Sequence, residues 1–454
     1  MSNNTAWTTL LPAAWRARLE QRPNVLQILS NTGWLVADRV LRMAVGLLVG
    51  VWVARYLGPE QFGLLSYVMA IVSVFTAIGS LGLDNVVVRE LVRNPNAAEP
   101  TLGTCIVLQI AGSTLALSLA VATVSLLRPE DTLARTAVAV LALAIVFKST
   151  DAIRFWFESR VQAKHVVWAE SSAFAAFALI KVMLVVAGAP LMSFVWAVPA
   201  EAGLAALLMI ATYTRQGRSL RMWRFEAGRA RSLLKNSFPL ILSALAAMIY
   251  MRIDQIMLGE MAGDQDVGIY SAAVRISEVW YFIPMAIGAS VFPAILVARQ
   301  TDTAVYHAHL QRLFSLMTVL ALVTAVPVTL FAEEIIRVLY GDGFPGAADI
   351  LVVHVWTGLF VFHGVAGSRW FLAENLQGLM MFRTLAGCLA SVLLNLYLIP
   401  RYGALGSAWA SVGAQAVAAM LVNALHPRTR ILFVMQLKAL VGSSLFTRHH
   451  AVEH

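Results

Sequence analysis

The chain has 454 residues, of which 59% are apolar and only 13% charged, with a mean hydropathy of +0.73 and a formal net charge of +9. A soluble globular domain carries about a quarter charged residues, so the composition excludes that class and reads as an integral membrane protein. The basic surplus, which in a soluble chain would point to nucleic acid, here follows membrane topology instead.

The opening segment 1–24, "MSNNTAWTTLLPAAWRARLEQRPN", lacks the short apolar core and small-residue cleavage site of a removable signal peptide. It reads as an interfacial helix with Trp7 and Trp15 as anchors. About twelve apolar stretches of roughly 20 residues follow, beginning near Val25, Leu64, Leu102, Leu133, Val166, Leu191, Phe238, Ile269, Leu313, Ala347, Leu379 and Ala404. Backbone amides in lipid must be paired internally, and these stretches are too long for barrel strands, so they are helices and no sheet is expected. Half lie in 25–213 and half in 238–425, separated by the basic segment 214–237. The tail, 426–454, has an apolar run interrupted by Lys438 and is expected to lie at the cytoplasmic face.

With the N-terminus cytoplasmic, about 24 of the 34 Lys and Arg fall on one side of the membrane and about 5 on the other. The heaviest cluster is 214–237, with Arg215, Arg218, Arg221, Arg224, Arg229, Arg231 and Lys235, whereas the loop 259–268 has no basic residue. Both chain ends are therefore expected on the cytoplasmic side. Cys105 and Cys388 stand alone in apolar stretches, so neither a disulfide nor a zinc site is expected.

The central linker invites a search for duplication. "RFWFESRVQA" (154–163) aligns without gaps on "RWFLAENLQG" (369–378), matching Arg154 with Arg369, Phe155 with Trp370, Trp156 with Phe371 and Gln162 with Gln377. "EQFGLLS" (60–66) aligns on "QDVGIYS" (265–271) at a nearly equal offset, repeating Gly63 as Gly268 and Ser66 as Ser271. Halves that begin on the same side and carry equal numbers of spans form parallel repeats, here two pseudo-symmetric lobes of about six helices with a cleft between them.

Charges inside the spans point to function. The bases are Arg39, Arg42, Lys181, Arg252 and Arg275; the acids are Asp38, Glu201, Asp254 and Glu278. Each costs on the order of 2.5–3.5 kcal/mol at a helix centre, so each needs a partner or water. Asp38 with Arg42 (four apart) and Arg275 with Glu278 (three apart) share helical faces and are expected to pair. Arg252 and Asp254 are two apart, project roughly 200° from one another, and cannot satisfy each other. An unpaired guanidinium facing a cavity suits an anionic cargo, since it binds phosphate through two parallel hydrogen bonds and stays charged. A buried carboxylate such as Asp254 or Glu201 suits the binding and release of a coupling proton. No phosphate-binding loop, nucleophile elbow or metal motif accompanies them, so neither an enzyme nor a bound cofactor is expected.

At these residues a family resemblance appears. "NTGWLVADRVLRMAVGLLVGVWVARYLGPEQFGLLSYVMAIVSVFTAIGSLGLDNVVVREL" (31–91) resembles the N-terminal signature of Wzx-type polysaccharide flippases of the multidrug/oligosaccharidyl-lipid/polysaccharide exporter superfamily. "RIDQIMLGEMAGDQDVGIYSAAVRISEVW" (252–280) and "IPRYGALGSAWAS" (399–411) are similar to that family's later spans. The resemblance implies a twelve-helix, two-lobed carrier of the bacterial inner membrane, related in fold to multidrug exporters. It implies a cargo of undecaprenyl-pyrophosphate-linked oligosaccharide, moved by alternating access under a proton or sodium gradient, with a polymerase and a ligase acting on the product. Its cationic cavity corresponds in type to Arg39, Arg42, Lys181, Arg252 and Arg275. A multidrug or cation exporter of the same superfamily and a lipid II flippase stay open as alternatives.

Overall fold

The computed structural model describes residues 23–442, with side chains from Val40 onward. Most of the expected interfacial segment, with Trp7 and Trp15, the side chains of Asp38 and Arg39, and the tail past 442 lie outside the described residues. Helices cover most of the described chain, and no strand occurs among the described residues. In order they are α1 (Pro23–Ser80), α2 (Asp84–Arg93), α3 (Ala98–Leu127), α4 (Thr132–Phe147), α5 (Asp151–Ser159), α6 (Ala163–Val186), α7 (Leu191–Arg215) and α8 (Ala227–Met261). They continue as α9 (Asp264–Glu278), α10 (Phe282–Thr301), α11 (Thr303–Leu330), α12 (Ala332–Tyr340), α13 (Ala347–His354), α14 (Thr357–Ala373), α15 (Gln377–Ala419) and α16 (Arg430–Leu440).

Among the described residues, 10 helical stretches are long and apolar enough to cross a membrane. The expected stretches outnumber them because two expected boundaries fall inside continuous helices. α1 leaves helical geometry at Gly58 (φ 71°, ψ 171°) and α15 at Gly403 (φ 54°, ψ −134°). Glycine adopts positive φ without steric cost, and Pro59 then restarts the helix where its missing N–H does no harm. The stretches expected from Leu64 and Ala404 are the parts beyond these kinks.

The chain forms two compact units. Unit 1 comprises Met1–Val49, Ile78–Leu119 and Ala139–Ile241; unit 2 comprises Gly50–Ala77, Ala120–Val138 and Leu242–His454. The division cuts across the sequence halves, since parts of α1, α3 and α4 group with the second half. In unit 1, Val86, Val87 and Leu91 of α2 bury against Leu102 of α3, Phe155, Trp156 and Phe157 of α5, and Tyr213 of α7. The basic segment after α7 is packed rather than free. Trp223 Nε1 donates to Tyr213 Oη at 3.2 Å, Tyr213 meets Trp156 edge-on at 5.1 Å, and Gly103 leaves room for the backbone of Arg224. In unit 2, Leu310, Phe314 and Met317 of α11 pack with Phe362, Trp370 and Phe371 of α14. The tail helix α16 adds Leu432, Met435 and Ala439 to that core, and Gln311 Nε2 donates to the Met435 carbonyl at 3.0 Å.

The duplication is visible in local geometry, with one correction of register. α5 and α14 end in the same hydrogen-bonded stop. Gln162 N donates to Phe157 O and Val161 N to Glu158 O in one; Leu376 N donates to Phe371 O and Asn375 N to Leu372 O in the other. Val161 and Asn375 both take φ 57°, the left-handed residue such a stop requires. Just before each stop lies an edge-on aromatic pair, Trp156–Phe157 at 4.9 Å and 80° and Trp370–Phe371 at 5.1 Å and 79°. Structural equivalence thus joins Trp156 to Trp370 and Phe157 to Phe371, one residue away from the gapless alignment. Arg154 consequently corresponds to Ser368, and its match with Arg369 is a coincidence of letters. The Gly63/Gly268 match keeps its register: Gly58 (φ 71°, ψ 171°) and Gly263 (φ 94°, ψ 174°) precede them at equal spacing.

Candidate substrate cavity

In unit 2 those two glycines face each other. A Cβ on Gly63 would strike the Asp264 carbonyl, and a Cβ on Gly268 would strike the Pro59 carbonyl, its repeat counterpart. Two helices that approach backbone to backbone tolerate only hydrogen at the crossing. One turn further along each helix a cavity of ≈ 190 Å³ opens. α1 lines it with Ser66, Met69, Ala70 and Ser73, α9 with Ser271, Val274, Arg275 and Glu278, and α8 with Arg252 and Gln255. α1 and α9 each use positions i, i+3, i+4 and i+7, a single face. The two faces correspond residue for residue in the glycine register: Ser66 to Ser271, Met69 to Val274, Ala70 to Arg275, Ser73 to Glu278. The repeat thus builds two walls of one cavity, and only the second wall is charged.

The charges are held differently from the sequence expectation. Arg275 and Glu278 do not pair. Arg275 runs into the slot left by Gly50, where a Cβ would overlap its guanidinium, and its Cζ lies 5.1 Å from the centre of the Phe62 ring. A cation over an aromatic face is attracted by the ring quadrupole, so Arg275 turns to the ring and leaves Glu278 to Arg252, Nη1 to Oε2 3.8 Å. That distance is at the limit of an ion pair and too long for a hydrogen bond. Among the described residues Arg275 has no carboxylate within ion-pairing distance. Ser66 and Ser271 are 6% and 5% exposed, and neither hydroxyl has a hydrogen-bond partner among the described residues. A buried donor left unmade costs about 1–3 kcal/mol.

Asp254, two residues from Arg252, points away from it as helical geometry requires. Its carboxylate accepts from Tyr270 Oη at 2.5 Å, from the backbone N–H of Gln255 at 2.8 Å and from Ser411 Oγ at 3.2 Å. Beside it lies a small cavity of ≈ 30 Å³, lined among others by Tyr250, His354, Ser391 and Gln415. Glu278 lines both cavities.

The other expected charges lie in unit 1. Lys181 Nζ and Glu201 Oε2 are 2.8 Å apart, on α6 and α7. Arg42 donates to Ser171 Oγ at 3.0 Å and lies 3.4 Å from Glu170, while its expected partner Asp38 is outside the described side chains. Unit 1 also holds a cavity of ≈ 190 Å³ beside Arg229, but that guanidinium is engaged with Glu226 at 3.1 Å, Glu90 at 3.5 Å and Thr101 at 3.1 Å. The unit 2 cavity, where among the described residues Arg275 has no carboxylate within ion-pairing distance, is the better candidate for an anion.

Sequence reasoning missed Arg128, which sits in the turn between α3 and α4. In unit 2 its Nε donates to Glu260 at 2.8 Å and its Nη2 to the Gly259 carbonyl at 2.8 Å, while Nη1 lies 2.8 Å from Asp264. Its guanidinium stacks 3.9 Å from the Tyr67 ring centre, and Tyr67 Oη donates to Glu260 at 2.6 Å. Burial alone would lower its pKa, but the bonds to Glu260 and Asp264 together raise it, so the charge is fixed. Arg128 lies between spans, where a charge carries no cost that would mark it in the sequence. Tyr270 and Ser411, which hold Asp254, fall inside the stretches 252–280 and 399–411 that carry the family resemblance, but no spacing in the sequence pairs them with Asp254.

Comparison with known proteins agrees with this architecture. The profile of the polysaccharide biosynthesis protein family matches residues 28–299. The chain belongs to that family. The MatE profile matches residues 239–397 of this family member. Two curated relatives come from Haloferax volcanii: "Probable low-salt glycan biosynthesis flippase Agl15", 23% identical over 42% of this chain and 41% of that protein, and "Probable flippase AglR", 30% identical over 41% and 40%. The chain thus spans about two-fifths of the length of these relatives. Among solved structures, lipid II flippase MurJ in an inward closed conformation superposes with a TM-score of 0.69 at 15% identity, over 91% of this chain and 93% of that one. The polysaccharide biosynthesis family member described here therefore shares the fold of that structure.

Proposed function

We propose that the chain is a flippase that moves a lipid-linked glycan across the membrane by its diphosphate headgroup. The observation that carries this reading is the cavity of unit 2, where among the described residues Arg275 has no carboxylate within ion-pairing distance and Arg252 is only loosely engaged by Glu278. An anion entering there gains charge-assisted hydrogen bonds that the protein itself leaves unmade. The family match and the glycan biosynthesis flippase among the relatives support the same cargo class.

In this reading α1 and α15 each count as two spans, which gives twelve, with both chain ends cytoplasmic in a bacterial inner membrane. The halves 25–213 and 238–425 act as lobes that alternate access, and the chain is a carrier, not an enzyme. Glu278, shared by the two cavities, lets the protonation or cation occupancy of the Asp254 site bias the cargo site. Arg42 and Lys181, with carboxylates at hand, serve the bundle. A polymerase and a ligase act on the translocated glycan.

The test is leaflet exchange in proteoliposomes of the full chain with a fluorescent undecaprenyl-pyrophosphate disaccharide, read by an impermeant quencher. Arg252→Ala and Arg275→Ala are each expected to slow exchange about 30-fold, the scale of removing one charged partner from a buried anion. Wild-type exchange no faster than protein-free vesicles, or both variants matching wild type, would sink the proposal.

A further inference from the structure

Resting on that reading, we infer that Ser66 and Ser271 are the cargo contacts that recognise a diphosphate as a diphosphate, one hydroxyl for each phosphate. The two walls of the cavity have diverged at Ala70 against Arg275 and at Ser73 against Glu278, yet they keep one identical pair, Ser66 and Ser271. These two are also the wall positions whose hydroxyls find no partner. Many helical hydroxyls in the chain fold back onto a carbonyl four residues earlier, as Thr76 does to Val72 at 2.9 Å, Ser315 to Gln311 at 2.9 Å and Ser368 to Gly364 at 2.8 Å. Back-bonding of that kind is the ordinary resting place for a serine or threonine in an apolar helix. Its absence at both members of a repeat-related pair leaves two donors beside one cavity.

The chemistry follows from the symmetry. A diphosphate is two tetrahedral anions joined through one bridging oxygen, so it presents equivalent acceptors to donors related by the repeat. The arginines hold its charge, as they would for any anion. The serines, placed on opposite walls, engage both phosphates together, and a monophosphate engages one of them.

The experiment measures binding of geranylgeranyl diphosphate and geranylgeranyl monophosphate to the purified full chain in nanodiscs, with Ser66→Ala, Ser271→Ala, the double variant and the hydroxyl-retaining Ser66→Thr. Each alanine variant is expected to weaken diphosphate binding about tenfold, the value of one charge-assisted hydrogen bond. The double variant is expected to bind both lipids about equally, and Ser66→Thr to retain most of the preference. Both alanine variants should unfold at no lower temperature than wild type, because they remove a hydroxyl that has no partner among the described residues. Unchanged diphosphate affinity in both alanine variants, or a fall in thermal stability that accompanies the affinity loss, overturns the assignment. If Arg275→Ala still weakens binding when the serine variants do not, the serine role alone fails; if neither matters, the diphosphate reading fails with it.

Discussion

Unit 1 and unit 2 both bury charge, and they neutralise it in different ways. In unit 1 the charges are closely matched: Lys181 and Glu201 meet at 2.8 Å, and Arg229 is divided among Glu226, Glu90 and Thr101. In unit 2 a tightly matched cluster around Arg128 sits one segment away from a loosely matched one around Arg252, Arg275 and Glu278. A pair that saturates itself has nothing left for a ligand, whereas a guanidinium resting on Phe62 and Gly50 keeps its in-plane donors. The contrast separates charges saturated by partners in the protein from charges that keep donors to spare.

Substitutions at three places probe that contrast, from the largest expected effect to the smallest. Arg275→Glu reverses the cavity cation that has no carboxylate within ion-pairing distance among the described residues; leaflet exchange is expected to fall at least 100-fold, as like charge repels the headgroup. Arg128→Met tests the matched side of unit 2. It leaves Glu260 and Asp264 without their cation, and the side chain it removes is only 13% exposed. Breaking such a pair is expected to cost about 2–3 kcal/mol, less than for a fully buried one, and to lower the unfolding temperature of the purified chain by several degrees. A variant as stable as wild type would mean that the cluster is incidental. In unit 1, Lys181→Met or Glu201→Gln alone is expected to cost about 1 kcal/mol by leaving one charge unpaired, and the two together less than either. Exchange rates of the double variant should stay within about threefold of wild type; a larger loss would move the pair to the cargo side of the contrast.

Much of the architecture was legible because lipid imposes few solutions. Long apolar stretches have to be helices, and the cost of each buried charge marked Arg252, Asp254, Arg275 and Glu278, which the fold brings to two adjoining cavities. Partner choice was not legible. Helical spacing puts Arg275 and Glu278 on one face, but a long side chain goes where space and a ring face await it, and those come from Gly50 and Phe62, distant in sequence. The repeat was legible through Gly63 and Gly268, where backbone contact admits one residue type. It was misread by one position at Arg154 and Arg369, where letters agreed and the aromatic pair and left-handed stop did not.

The lopsided cavity has a consequence for redesign. Duplication supplied two equivalent faces, and Ala70 and Ser73 stand as small, neutral counterparts of Arg275 and Glu278. Polarity can therefore be rewritten on the blank wall while the engraved one stays intact, so that affinity for new headgroups can be explored by addition before anything native is removed.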